Sequence, residues 1–244
     1  MKLAVISDIH GNWRALDAVL ADHQAQQVTT FVNLGDCVYG PFDPVPVMER
    51  LMSLRMQTVS GNEDRVLVEA ARGAACSPTV RFTLDRLSPA HLEWLAALPV
   101  TLDLPQAFAC HGAPNCDTTY LLTRVTENRI GLRSSDAVLR LLEGVAAQVV
   151  LCGHDHSARQ LQLPGNRWVV NPGSVGCPAY TDETPFPHCI ENESPHARYA
   201  VAEFSEPSPR IDLVSVPYNW KAAADEAAAN GFHEWSNWIR SGRV

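Results

Sequence analysis

The chain of 244 residues has no run of 18 apolar residues, no C-x-x-C pair and too few basic residues to balance its acids: 19 Lys and Arg stand against 27 Asp and Glu, for a formal net charge of −8. Each shortage excludes something. Without a long apolar run there is no candidate membrane-spanning helix, and the first residues begin a strand with no charged leader and apolar region before it; the expectation is a cytoplasmic protein with no membrane partner. An acidic chain does not offer an extended nucleic-acid surface, because phosphate backbones are gripped by Lys and Arg. A small anionic ligand stays compatible, since bound metal ions would invert the field locally. The seven cysteines (Cys37, Cys76, Cys110, Cys116, Cys152, Cys177, Cys189) are odd in number and scattered, which suits a reducing compartment better than a disulfide framework. No internal repeat or linker interrupts the chain, and 46% hydrophobic content is enough for one core, so residues 1–244 are expected to form one α/β domain.

Lys2 to Ser7 reads as a strand, Trp13 to His23 as a helix with Leu16, Val19 and Leu20 on one face, Val28 to Leu34 as a strand, Val45 to Leu54 as a helix and Met56 to Ser60 as a third strand. This β-α-β-α-β start predicts parallel strands with right-handed crossovers. From Asp64 to Leu98 the pattern is helical, and Ser77-Pro78 and Ser88-Pro89 mark two helix starts. Leu102 to Leu104, Ala107 to Cys110 and Gln148 to Cys152 read as strands, and Ser134 to Leu142 as a helix. Arg159 to Leu163, Trp168 to Val170, Tyr199 to Phe204 and Arg210 to Val216 read as an antiparallel series, with Pro164-Gly165-Asn166 as a hairpin turn. His111 to Gly131 and Thr181 to Pro195 read as loops, the first long enough to suggest a functional role. Residues 64–98 and 112–135 are thus expected as helical and loop elements near the site. The tail from Asn219 is helical, broken at Asn230-Gly231.

Five of the strand patterns end alike. Apolar residues give way to Asp8-Ile9-His10, Gly35-Asp36, Gly61-Asn62, His111 and Gly153-His154-Asp155-His156. In α/β sheets, sites gather at the carboxyl ends of strands. Asp8, His10, Asp36, Asn62, His111, His154 and His156 together exceed one tetrahedral site but suit two adjacent ions with Asp36 between them. Two ions about 3.5–4 Å apart polarise a phosphoryl oxygen and acidify a shared water. Mixed carboxylate and imidazole donors suit Mn, Fe, Zn or similar divalent ions, whereas an all-oxygen set would point to calcium or magnesium. Glycines at 35, 61 and 153 let the backbone turn where a β-carbon would crowd the ions.

Asp8-x-His10, Gly35-Asp36, Gly61-Asn62-x-Asp64, His111-Gly112 and Gly153-His154-x-His156, in this order, resemble the calcineurin-like metallophosphoesterase superfamily, and Asn171-Pro172-Gly173-Ser174-Val175-Gly176 resembles its small bacterial and archaeal phosphodiesterase branch. The resemblance implies a sandwich of two β-sheets flanked by helices (αββα). It implies two divalent metal ions, manganese first, with iron, zinc, nickel and magnesium as the other candidates. One ion would take Asp8, His10, Asp36 and His156, the other Asp36, Asn62, His111 and His154. The implied activity is hydrolysis of a small phosphodiester or nucleotide by a hydroxide bridging the ions, with His10, Asp36 and Asn62 catalytic. Many members carry a histidine after the Gly-Asn pair that assists the leaving group; here the residue is Glu63, which favours diesters over alkyl monoesters. The competing readings are a phosphomonoesterase or protein phosphatase and, from another class, a non-catalytic scaffold with this fold.

Other residues have plainer expectations. Asp64 steadies the helix that follows it rather than binding metal. Asp155 is not a ligand. His23, His91, His196 and His233 are solvated, and Tyr120 and Arg124 lie on a satisfied surface. Cys37 and Cys152 are small buried thiols. Whether Glu63 or His188 assists the leaving group is open, as is the choice between propping and substrate contact for Asn171 to Ser174. The tail with Trp220, Trp235 and Trp238 is a packed helix pair, with a homodimer contact as the alternative.

Overall fold

Lys2–Ile6 (β1) is apolar at every position after Lys2 and buried on both faces, the pattern of a central parallel strand. It starts a computed structural model that describes residues 2–25, 28, 30–205 and 208–244. Thr29, inside the expected strand Val28–Leu34, and the side chain of His23 lie outside the described residues. After β1 come α1 (Trp13–Ala25), β2 (Thr30–Asn33), α2 (Val45–Leu54) and β3 (Gln57–Thr58). Both β1–β2 and β2–β3 pair in parallel, as the β-α-β-α-β reading requires. Asn12 starts α1 by accepting the Ala15 N–H through its side-chain oxygen at 3.2 Å.

The helical stretch that follows resolves into α3 (Asn62–Ala71), α4 (Pro78–Leu84) and α5 (Pro89–Ala96). Ser77 and Ser88 cap the last two, each accepting a backbone N–H from the third residue on, with proline at the first helical position. The chain continues through β4 (Thr101–Asp103), β5 (Ala107–Cys110), β6 (Thr123–Thr126), β7 (Arg129–Leu132), α6 (Ser135–Leu141) and β8 (Val149–Leu151). Then follow β9 (Arg159–Leu163), β10 (Arg167–Asn171), β11 (Ala179–Asp182), β12 (His188–Glu191), β13 (Ala197–Glu203), β14 (Arg210–Val216), α7 (Trp220–Ala229) and α8 (His233–Ser241).

Two five-stranded sheets result, in the orders β14-β13-β1-β2-β3 and β4-β5-β8-β10-β9. Side chains alternate between layers with the two-residue period of a strand. Leu3, Val5, Val32, Ala109, Leu151 and Ala200 meet between the sheets. Ala4 and Ile6 face outward onto Leu16, Val19, Met48 and Leu51 of α1 and α2. Val150 and Val169 face the other way, onto Val138 of α6 and onto Leu121 and Leu122. The architecture is the helix–sheet–sheet–helix sandwich that the resemblance implied. Full burial of each Val, Leu, Ile or Met among them contributes about 1.5–3 kcal/mol.

Three readings need correction. The strands of the expected antiparallel series do not lie in one sheet: β9 pairs with β10 at the edge of the second sheet, whereas β13 and β14 extend the first, with β13 antiparallel to β1. Residues 111–131 are not irregular throughout, because β6 and β7 form a hairpin there. Thr181 to Pro195 is likewise no plain loop, since β11 and β12 pair through it and bury Ile190. Both segments are short, polar and rich in turn residues; periodicity over four residues is too weak a signal to separate them from loops.

Candidate metal centre

The parallel strands β1, β2 and β3 of one sheet and β5, β8 and β10 of the other run out toward a common edge, and past their ends stand the seven residues singled out from the sequence. The two sheets are tied together there, Val175 N–H donating to the Ser7 carbonyl at 3.0 Å and Gly176 N–H to the Asp8 carbonyl at 3.1 Å, while within the second sheet Gly153 N–H donates to the His111 carbonyl at 2.6 Å. Asp8, His10, Asp36, His154 and His156 all adopt left-handed backbone conformations, with φ of 56°, 50°, 54°, 69° and 51°. Each such non-glycine residue costs of order 1–3 kcal/mol and persists only where the surrounding structure enforces it, a condition that concentrates at functional sites. Here the conformation ends the ladder at the point where the ligand-type side chain leaves the strand.

These side chains form two triads, Asp8 with His10 and His156, and Asp36 with His111 and His154, in each of which the donor atoms lie within 4.8 Å of one another. Within the first, Asp8 Oδ1 stands 3.4 Å from His156 Nε2. His10 Nε2 is 3.2 Å from His156 Nε2, two imidazole nitrogens turned on the same space. Within the second, Asp36 Oδ2 lies 3.3 Å from His111 Nε2, and Asn62 Oδ1 joins at 2.9 Å from the same nitrogen. Asp8 Oδ1 is buried with no hydrogen-bond partner. A buried carboxylate oxygen left without a donor is costly, and a cation among these nitrogens is the partner that this arrangement fits. The far ring nitrogens are already committed: Nδ1 of His10, His111 and His156 lies 2.8, 2.7 and 2.8 Å from the carbonyls of Tyr39, Leu34 and Cys177. Donation to those carbonyls places the proton on Nδ1 and leaves Nε2 a lone pair for a metal.

Charge follows the same division. Burial, reinforced by His156, pushes His10 down to about 4, and burial with His111 pushes His154 down to about 4, so both imidazoles are neutral. Burial opposes charge on His111 too, but Asp36 and Asp8 outweigh it and hold the ring up at about 10. Despite burial, the Asp36 carboxyl is held well below the carboxylate range by His111. Against burial, Asp8 likewise holds His156 up and His156 holds Asp8 down across 3.4 Å, so without metal the centre is two buried ion pairs beside two neutral imidazoles. Glu63 stands next to it, with its N–H on Asp36 Oδ1 at 2.9 Å, and burial with the Asp36 and Asp64 charges pushes its carboxyl up to about 8.

The supports are residues read as non-ligands. Asp64 is fully buried; its carboxylate accepts the N–H groups of Asp36, Cys37 and Gly61, each at 2.9 Å. It thereby joins the β2 and β3 ends and caps α3, as expected, although α3 begins two residues earlier, at Asn62. Asp155 points away from the triads toward Thr123 Oγ1 at 2.6 Å and Asn171 Nδ2 at 2.7 Å. Asn171 also donates to the Gly153 carbonyl at 2.8 Å, and Ser174 Oγ to the Asp8 carbonyl at 2.8 Å, so this motif props the site. Gly61 permits the contact between strand ends: a Cβ there would sit 2.1 Å from Asp36 Oδ1. The crowding that glycine avoids is therefore with a candidate ligand side chain.

A cavity of about 280 Å3 opens over both triads. Its walls include Tyr39, Tyr180, Trp235 and Trp238, none of which was singled out for the site from sequence. Tyr39 lies three residues after Asp36, a signal that was available. Trp235 had no such signal; its ring stands edge-on 5.5 Å from that of His10 only because α8 folds back across the strand ends. Tyr120, expected on the surface, is buried against His154 with ring centroids 4.8 Å apart. Its hydroxyl meets Tyr180 at 2.7 Å and His188 Nε2 at 3.0 Å, which places His188 behind the tyrosine wall. Arg124 is exposed, as expected. All seven cysteines are free thiols; burial pushes those of Cys37 and Cys152 up, and neither belongs to a triad.

The profile of the calcineurin-like phosphoesterase superfamily domain matches residues 1–189. An uncharacterized protein of Methanocaldococcus jannaschii is 24% identical over 96% of this chain and 94% of its own length. Among solved structures, a metallophosphoesterase from Sphaerobacter thermophilus shares the fold with a TM-score of 0.76 at 22% identity, covering 99% of this chain and 100% of its own. A hypothetical protein from Pyrococcus horikoshii does so with a TM-score of 0.75 at 17% identity, covering 99% and 98%. Among the described residues no helix is long and apolar enough to cross a membrane. With a profile that runs through both triads and a fold shared end to end, the chain belongs to the calcineurin-like phosphoesterase superfamily, whose phosphoester hydrolysis depends on a pair of metal ions.

Proposed function

We propose that this protein is a phosphodiesterase that hydrolyses small phosphodiesters at a dinuclear centre. Asp8, His10, Asp36 and His156 would hold one ion, and Asp36, Asn62, His111 and His154 the other, with Asp36 shared. When bound, the ions supply Lewis acidity toward a phosphoryl oxygen and an activated water. The donor set is carboxylate, amide and imidazole with no thiolate, which suits manganese and also admits iron, zinc, nickel or magnesium. His10 and Asn62 line the cavity, where they would orient the phosphoryl group and face its developing charge.

The observation that carries the diester reading is the cavity lining. It includes the carboxyl groups of Asp36, Glu63 and Asp182 and, among the described residues, no lysine or arginine. Beyond the ions, which would take up the charge of the reacting phosphoryl group, a monoester dianion finds the Asp182 carboxyl and no cationic side chain among the described lining residues, whereas a diester brings a single negative charge. About 280 Å3 lies at the low end of small-molecule sites, which also argues against a phosphopeptide. The test compares bis(p-nitrophenyl) phosphate with p-nitrophenyl phosphate on the manganese-loaded protein. Faster turnover of the diester is expected; a strong preference for the monoester would overturn the proposal.

A further inference from the structure

Helix α8 places Trp235 and Trp238 three residues apart, hence on one face, with Ser236 and Ile239 buried on the adjacent one. The two indoles lie 5.5 Å apart at an interplanar angle of 49°, and Tyr39 adds a third ring 6.2 Å from Trp235. Both tryptophans are half-buried and both line the cavity over the triads. The helix that carries them is firmly seated. Ala223, Ala224, Ala227 and Ile239 bury Phe42, Asn230 Nδ2 donates to the Pro41 carbonyl at 2.8 Å, and Glu193 N–H donates to Gly242 O at 2.9 Å.

Trp235 packs in part against the cluster of Phe42, Ala223, Ala224, Ala227 and Ile239, whereas Trp238 joins none of the core clusters among the described residues, and both leave indole area partly wet at the cavity over the triads. The two indoles suit a flat aromatic group attached to the phosphate being cleaved. Resting on the diesterase reading above, we propose that Trp235 and Trp238 form a stacking platform for a nucleobase, so that the preferred substrate is a nucleoside-bearing phosphodiester with a single phosphate. Stacking on indole is tolerant of base identity, so the platform selects for a base without choosing among bases. The lining beyond the triads, with Asp182 and no lysine or arginine among its described residues, disfavours polyphosphate chains by the same charge argument.

The test uses two five-membered cyclic diesters that share a reacting centre and differ in the base: adenosine 2′,3′-cyclic phosphate and glycerol 1,2-cyclic phosphate. On the manganese-loaded protein, kcat/KM should favour the nucleoside by about tenfold or more, carried mainly by KM. Trp238→Ala, a residue without ring contact to any triad member, should bring the ratio toward one, and Trp238→Phe should keep most of it. A ratio near one in the unsubstituted protein, or one unmoved by Trp238→Ala, overturns the platform while leaving the diesterase reading standing. If neither diester is turned over, that reading fails, and calorimetric binding of adenosine monophosphate against glycerol phosphate judges the platform by itself. A tenfold preference lost in Trp238→Ala then upholds it, and equal binding overturns it.

Discussion

Asp64 holds Asp36 by its backbone: the Asp64 Oδ2 atom accepts the Asp36 N–H at 2.9 Å and, from the other side, the Gly61 N–H at the same distance. One buried carboxylate thus fixes the relative position of two strand ends that carry candidate ligands. Asp64→Asn retains the shape but presents an amide NH2 where backbone donors need an acceptor. The expected result is a loss of about 1–3 kcal/mol in unfolding free energy and manganese affinity weaker by about 10–100-fold. Chemical denaturation and metal titration check both, and unchanged metal affinity would show that the strand ends hold position without this carboxylate.

Asp36→Asn acts at the shared position itself. Exchanging the carboxylate for a neutral amide removes charge from the place where both ions would be held, and it leaves His111 without its 3.3 Å partner. Turnover of a diester should fall by at least about 10²-fold, measured at saturating manganese. Equal rates in the two proteins would point away from catalysis at this centre and toward the scaffold reading.

Gly61→Ala probes the approach of the β2 and β3 ends. The added methyl would lie 2.1 Å from Asp36 Oδ1 and 2.4 Å from its amide nitrogen, so the ligand or the helix start must move. Overpacking of this kind costs about 1–3 kcal/mol, and misplacement of a catalytic group by an ångström costs about 10²-fold in rate. Thermal unfolding and diester kinetics should show both losses together; normal kinetics with lowered stability would place the adjustment in α3 and away from Asp36.

Metal removal should lower stability reversibly. Ions that bind only the folded protein stabilise it by mass action, about 2.7 kcal/mol when present at 100 times their dissociation constant. Dialysis against a chelator should therefore depress the Tm, and added manganese should restore it. Asp8→Ala removes the Oδ1 that lacks a hydrogen-bond partner and with it the one carboxylate of its triad, and its Tm should respond much less to manganese.

Much of the fold was legible in the chain because its signals are local. The apolar run Lys2 to Ile6 and the helical spacing around Leu16 and Val19 set the parallel start, and Ser77-Pro78 and Ser88-Pro89 marked helix starts through caps that depend on neighbours three residues away. Where elements are only four residues long, as in β6, β7, β11 and β12, too few positions remain for a two-residue period to stand out. Those strands exist because a partner strand accepts their hydrogen bonds, and pairing is a property of the folded chain.

The candidate site divides along the same line. Sequence alone determined which residues bring metal-ligand chemistry and that each follows a strand: Asp8, His10, Asp36, Asn62, His111, His154 and His156 are polar groups at the ends of apolar runs. Tertiary structure decided what stands around them. It turned the backbones of five candidate ligands left-handed, aimed Asp155 and Asn171 away as props, raised the Glu63 carboxyl by burial between Asp36 and Asp64, and laid Trp235 over His10 from more than 200 positions along the chain. The physical reason is range. Ligand chemistry and strand propensity belong to a residue and its near neighbours, whereas backbone strain, desolvation and the walls of a cavity arise only when distant segments pack against one another.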